Sequence, residues 1–129
     1  MSSQIFQLTM LNGVFSYSQE KIRVAPQNQS PWNYMRGLVR QASGPATIPI
    51  SSLKHFASEF ASIEYPDEVR SSHALDLLAD IAEQDTRNED AVKALELLAD
   101  RYDPIRANYW NWRKSRLTEK ASSGITSSA

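Results

Sequence analysis

The sequence predicts an all-α fold of stacked antiparallel helical hairpins, an α-α superhelix of about six helices, and three observations carry that expectation. Apolar residues recur at steps of three and four in successive segments, the spacing that lines one face of a helix. Only 4 of 129 residues are glycine and 41% are hydrophobic, which suits a packed helical core better than a turn-rich β fold. A heptapeptide also returns almost unchanged: Ala74-Leu75-Asp76-Leu77-Leu78-Ala79-Asp80 reappears as Ala94-Leu95-Glu96-Leu97-Leu98-Ala99-Asp100. Recurrence of that kind marks two similar helices of a repeat array.

Residues 1–13 show no steady period and form an irregular lead-in. A helix is predicted over 14–25 from Phe15, Tyr17, Ile22 and Val24, stopped by Pro26, whose ring disfavours helix at the residue before it. Ser30-Pro31 opens a second helix, with Ser30 as the cap and Pro31 at a position whose amide has no partner in any case. Trp32, Met35, Leu38 and Val39 draw one stripe along it, and Gly44, Pro45 and Pro49 end it in a loop. Over 52–63 the residues Leu53, Phe56, Ala57, Phe60 and Ile63 give the clearest period in the chain, closed by Tyr65-Pro66. The two heptapeptide helices follow, joined by the polar stretch 85–90 as an antiparallel hairpin. Asp103-Pro104 repeats the cap-then-proline device, and the helix it opens carries Ile105, Tyr109, Trp112 and Arg116 at helical spacing. Within it Trp110-Asn111-Trp112 echoes Trp32-Asn33-Tyr34. Residues 119–129, rich in Ser, Thr and Ala, read as a disordered tail.

Charge and composition exclude several classes of function. Fourteen Lys plus Arg against fifteen Asp plus Glu give a formal net charge of -1, so no overall positive field holds a phosphate backbone, and nucleic acid is not expected as a partner. The absence of cysteine removes disulfides, thiolate nucleophiles and sulfur-ligated zinc. No apolar run approaches the roughly 18 residues that span a bilayer. Residues 5–15 are interrupted by Gln7, Thr9 and Asn12 and preceded by no Lys or Arg, unlike a signal peptide; a cytoplasmic protein without membrane insertion is expected.

The remaining candidates for chemistry have plainer explanations. Neither His55 nor His73 has a second His or Cys at ligand spacing. Asp76 and Asp80, one helical turn apart, are the residue types that grip magnesium and a diphosphate, yet no basic cluster stands nearby in sequence. A solvated helix face is the expectation. Arg113, Lys114, Arg116 and Lys120 are expected to complement the dipole at a helix C-terminus. Tyr109, Trp110 and Trp112 are expected to seal a helix interface rather than to stack a ligand. No glycine-rich phosphate loop and no Ser, His and Asp triad is present. No residue is therefore assigned a catalytic, cofactor-binding or metal-binding role.

Residues 24–38 resemble the repeat signature of protein prenyltransferase α subunits, in which a helix ends at Pro-x-Asn and a capped helix then opens with Trp-x-Tyr; Pro26, Asn28, Ser30, Trp32 and Tyr34 match. Residues 88–117, with Tyr109 and Trp110, are similar to the final hairpin of the α subunit shared by protein farnesyltransferase and geranylgeranyltransferase type I. The resemblance covers about 14–118 and corresponds to the C-terminal third of that subunit. It implies a crescent of helical hairpins wrapped around a β subunit, in a heterodimer that attaches an isoprenoid to a CaaX cysteine. Zinc, and any magnesium, of such a heterodimer are held mainly by the β subunit, and the α-subunit lysine and tyrosines that reach the diphosphate or peptide come from earlier repeats. The expected role is accordingly structural and β-subunit-contacting, with no cofactor in this chain. The alternative is a free-standing helical-repeat interaction module without transferase activity. Self-association is expected from the apolar residues Ile5, Phe6, Leu8, Met10, Leu11, Val14 and Phe15.

Overall fold

Every regular element among the described residues is helical. The computed structural model describes residues 13, 15–41 and 49–127, with side chains at 13, 15–39 and 49–119. The lead-in up to residue 12, Val14, and the loop containing Gly44 and Pro45 lie outside the described residues. The chain divides into two units, Met1–Phe56 and Ala57–Ala129.

In the first unit a helix α1 spans 15–24, in agreement with the period, but only Ile22 and Ser18 of it are fully buried while Tyr17 and Val24 face solvent. Pro26 follows the last turn, where the Ala25 amide still donates to the Lys21 carbonyl. Helix α2 is Gln29–Gln41, with Trp32 and Met35 buried and Leu38 and Val39 half-buried, so the predicted stripe is its inward face. Its cap differs from expectation. The Asn28 side chain, not Ser30, supplies the acceptor, and the Ser30 amide donates to Asn28 Oδ1 at 3.2 Å; a cap commonly accepts from the second helical amide. A 3₁₀ turn Ile50–Leu53 then leads into α3, Lys54–Ala57, which buries Leu53 and Phe56.

Here the predicted helix over 52–63 is shortened to one turn. Beyond Ala57, in the second unit, the Phe60 carbonyl accepts the amides of Arg70 (2.7 Å) and Ser71 (3.2 Å), and the Arg70 guanidinium takes the Glu59 carbonyl at 2.8 Å. Those acceptors are engaged by a distant segment and are turned away from their own helix. Burial still follows the period, because Leu53, Phe56, Ala57 and Phe60 are all buried. The Tyr65 amide donates to Ser62 Oγ at 3.0 Å, shaping the turn ahead of Pro66.

Helix α4, Ser72–Gln84, is capped by Ser71, whose hydroxyl accepts from the Ala74 amide at 3.3 Å. It buries Ala74, Leu75, Leu77, Leu78, Ala79, Ile81 and Ala82, nearly its whole circumference, as befits a central helix. Helix α5, Asn88–Leu97, starts three residues earlier than the polar connection suggests, with Glu89 and Asp90 in its first turn, where acidic groups complement the helix dipole. Such a short link folds α4 and α5 into an antiparallel hairpin. Thr86 within it adopts φ 60°. A π-helical turn, Leu98–Tyr102, extends α5, and the Asp103 amide closes it on the Leu98 carbonyl at 2.8 Å. After a 3₁₀ turn at Pro104–Arg106, α6 runs over Ala107–Ser127 and so takes in residues 119–127 of the stretch expected from composition to be a disordered tail, whose last two residues lie outside the described ones. Gly124 there disfavours helix most, by about 1 kcal/mol relative to alanine, with smaller costs at Ser122, Ser123 and Thr126.

Candidate functional site

Two indoles organise the two units in the same way. Trp32, 1% exposed, donates from Nε1 to the Pro26 carbonyl at 2.9 Å, so the first turn of α2 is tied back to the end of α1. Its ring lies 5.7 Å from that of Phe56. Trp110, 3% exposed, donates from Nε1 to Oδ2 of Asp103 at 3.1 Å and to the Asp103 carbonyl at 3.2 Å. Asp103 is consequently not the side-chain cap that its place before Pro104 predicts; its carboxylate serves the indole, with Arg106 a further 3.6 Å away. Of the matching motif residues, Pro26 supplies a carbonyl, Asn28 a cap, Ser30 the capped amide and Trp32 a buried anchor. Tyr34 projects outward, as does Trp112 two residues after Trp110.

The second unit holds an ionic cluster that the sequence reading places in solvent. Arg113 Nη1 donates to Asp76 Oδ1 at 2.7 Å and Nη2 to Asp80 Oδ1 at 2.5 Å. The guanidinium side chain is 11% exposed. Asp76 and Asp80 are thus a single-turn clamp between α4 and α6 and not a solvated face, and the basic group that receives them lies 37 and 33 residues downstream. Planar guanidinium donors fit such paired carboxylates. The same guanidinium stands 5.7 Å from the Tyr109 ring centroid and 5.6 Å from that of Trp110.

Because α6 continues through Ser127, the basic residues sit mid-helix and not at a C-terminal dipole. Lys114 Nζ lies 3.6 Å from Glu96 Oε1, Arg116 lies over the Trp112 ring at 5.0 Å, and the Lys120 side chain lies outside the described residues. The loop 61–71 is pinned to the π turn by Tyr102, whose hydroxyl donates to the Pro66 carbonyl, and by Arg101, whose Nη1 donates to Asp67 at 2.6 Å. That bond pushes the Arg101 guanidinium further above its ordinary value.

The sequence-predicted stripe of α6 is inverted by the fold. Trp110 and Leu117 face inward with Arg113, whereas Ile105 (96% exposed), Tyr109 (47%) and Trp112 (52%) face out. Tyr109 and Trp112 are stacked with centroids 6.1 Å apart, and Tyr109 meets Trp110 edge-on at 4.9 Å. His55 is exposed in α3 and His73 half-buried at the start of α4. Among the described residues no group of three or more His, Cys, Asp or Glu is placed to hold a metal ion, and no helix is long and apolar enough to cross a membrane.

No family model matches the chain. It is similar to the protein farnesyltransferase/geranylgeranyltransferase type-1 subunit alpha of Candida albicans, 37% identical over 103 residues, covering 80% of this chain and 32% of that protein. The corresponding subunit of Dictyostelium discoideum is 30% identical over 118 residues, covering 89% of this chain and 35% of that protein. Among solved structures, Candida albicans protein geranylgeranyltransferase-I complexed with GGPP superposes with a TM-score of 0.77 at 33% identity, covering 84% of this chain and 34% of that one. The chain spans about a third of the length of the relatives it matches.

Proposed function

We infer that this chain, related in sequence and fold to the α subunit of protein farnesyltransferase/geranylgeranyltransferase type I, works as the C-terminal helical-repeat part of such a subunit in the cytoplasm. Its role is to hold a β subunit, not to carry the chemistry. The observation that carries this reading is the superposition on the Candida albicans geranylgeranyltransferase-I chain, at 33% identity over 84% of this one. The residues themselves agree with a scaffold. Trp32 and Trp110 tie helix starts to preceding turns, and Asp76, Asp80 and Arg113 clamp α4 to α6.

Zinc belongs, on this reading, to the β subunit. The chain contains no cysteine to offer a thiolate ligand. We further propose that the isolated chain self-associates through its apolar N-terminal residues, seen as a sedimentation coefficient that rises with concentration. The test of the main reading is co-expression of the full chain with the β subunit of Candida albicans geranylgeranyltransferase-I. A stable complex, together with no transfer of an isoprenoid to a CaaX peptide by the chain alone, is the expected outcome. Zinc-dependent turnover by the purified chain overturns the scaffold role, and failure to form any complex overturns the partnership.

A further inference from the structure

We propose that residues 62–69 form a hinged flap, held shut by a catch of two bonds from the π turn and able to open while the α4–α5 hairpin stays folded.

The base of the flap is anchored in the core. The Phe60 carbonyl accepts the amides of both Arg70 and Ser71, at 2.7 and 3.2 Å, and so brings the two ends of the loop together. The Arg70 guanidinium donates to the Glu59 carbonyl at 2.8 Å and lies 5.0 Å from the Phe60 ring centroid. Phe60 is buried, and Ser71, which also caps α4, is fully so. Compact surface loops with their ends closed in this way are frequently functional.

The apex, by contrast, rests on little. Residues 64–68 are all exposed, and a turn around Pro66 is closed within them by the Glu68 amide on the Tyr65 carbonyl at 3.0 Å. Two bonds reach it from the π turn: the Tyr102 hydroxyl donates to the Pro66 carbonyl, and Arg101 Nη1 donates to Asp67 Oδ1 at 2.6 Å. Both lie in solvent, with the Arg101 and Asp67 side chains 52% and 86% exposed, so water replaces either bond at little cost. Arg101 and Tyr102 are the last two residues of the π turn, and widening a helical turn by one residue shifts the side chains at its end round the axis relative to an uninterrupted α-helix. The irregular turn is thus what presents the catch. A light catch on a loop with an anchored base gives a local opening far less costly than unfolding the chain, and hence a second state in which the apex is released and the hairpin is intact.

The chain contains no cysteine, so a single Glu68→Cys takes one spin label at an exposed apex position. The experiment follows the ratio of mobile to immobile label in the full chain, together with amide exchange at Arg70, Ser71, Ala94 and Leu95. Tyr102→Phe and Asp67→Ala each remove one catch bond and their combination removes both, while Asp85→Asn, which alters a surface pair elsewhere, is the control. Each single variant is expected to raise the mobile-to-immobile ratio about two- to tenfold, the combination by more than either, and the control not at all. Exchange at the four amides is expected to stay at parent rates. Should Tyr102→Phe fail to fold, Asp67→Ala still decides, because the side chain it removes stands almost wholly in solvent. Parent-like label spectra in Asp67→Ala and in the combined variant overturn the catch. Faster exchange at Arg70 and Ser71 shows that the base opens with the apex and overturns the hinge. Faster exchange at Ala94 and Leu95 shows that the two bonds hold the whole hairpin and overturns independent opening.

Discussion

A buried indole that donates back to the turn ahead of its own helix appears twice, at Trp32 with Pro26 and at Trp110 with Asp103. Each combines a large apolar area with one satisfied donor, the condition under which tryptophan is tolerated in a core. Trp32→Ala is expected to cost about 3 to 5 kcal/mol, measured by urea melts followed by circular dichroism. Trp32→Phe keeps most of the ring contact with Phe56 and forfeits the bond to the Pro26 carbonyl, so a smaller loss of about 1 kcal/mol is expected. Equal losses for the two variants would locate the stabilisation in the hydrogen bond alone. Thr86 makes the opposite case, a β-branched residue at φ 60°, where asparagine is better accommodated. Thr86→Asn is expected to raise stability by roughly 0.5 to 1 kcal/mol in the same melts. The contacts of Pro26, Asn28, Ser30 and Trp32 span at most six positions, within reach of a local motif, yet the sequence expects the cap at Ser30 and the structure has it at Asn28. The partner of Asp76 and Asp80 was not legible, because no local pattern links them to a guanidinium on another helix.

At the level of elements, the clamp between α4 and α6 is an ionic contact deep enough to matter. Surface pairs such as Lys114 with Glu96, at 3.6 Å and half-exposed, contribute little. Arg113→Met leaves two partly buried carboxylates facing one another and is expected to destabilise by about 2 to 4 kcal/mol; Asp80→Asn, which leaves Asp76 in place, by about 1 to 2 kcal/mol. A double-mutant cycle over Arg113 and Asp76 should return a coupling of at least about 1 kcal/mol, and additivity within about 0.5 kcal/mol would show that the two side chains act independently. Element reading succeeded where the pattern was local and long, as in α2, α4 and α5. It failed in extent over 52–63, where the carbonyls of Glu59 and Phe60 serve Arg70 and Ser71 instead of their own helix. It failed in phase at α6, since the stripe Ile105, Tyr109, Trp112 and Arg116 is as regular as the buried set Trp110, Arg113 and Leu117. Period alone assigns two faces and does not say which of them meets the core.

For the whole molecule, the all-helical repeat fold followed from composition and from the duplicated heptapeptide, and both copies of that heptapeptide are largely buried in the α4–α5 hairpin. Local stability should vary along the chain in step with such burial. Hydrogen exchange is expected to find the amides of Ala91, Ala94, Leu95 and Leu98 protected longest and those of 15–24 and 61–69 exchanging first. Uniform protection along the chain would mean that it opens only as a whole.

The three tryptophans also divide by their access to light-quenching solutes. Trp32 and Trp110 lie at 1% and 3% exposure, whereas Trp112 is open to solvent beneath a guanidinium. Acrylamide should therefore quench the emission in two classes, a shielded blue-shifted pair and one accessible red-shifted fluorophore. Anything that settles on the outer face of α6 would shield the accessible class from the quencher and leave the other two unchanged, so Trp112 is a built-in optical reporter of whether that face is covered.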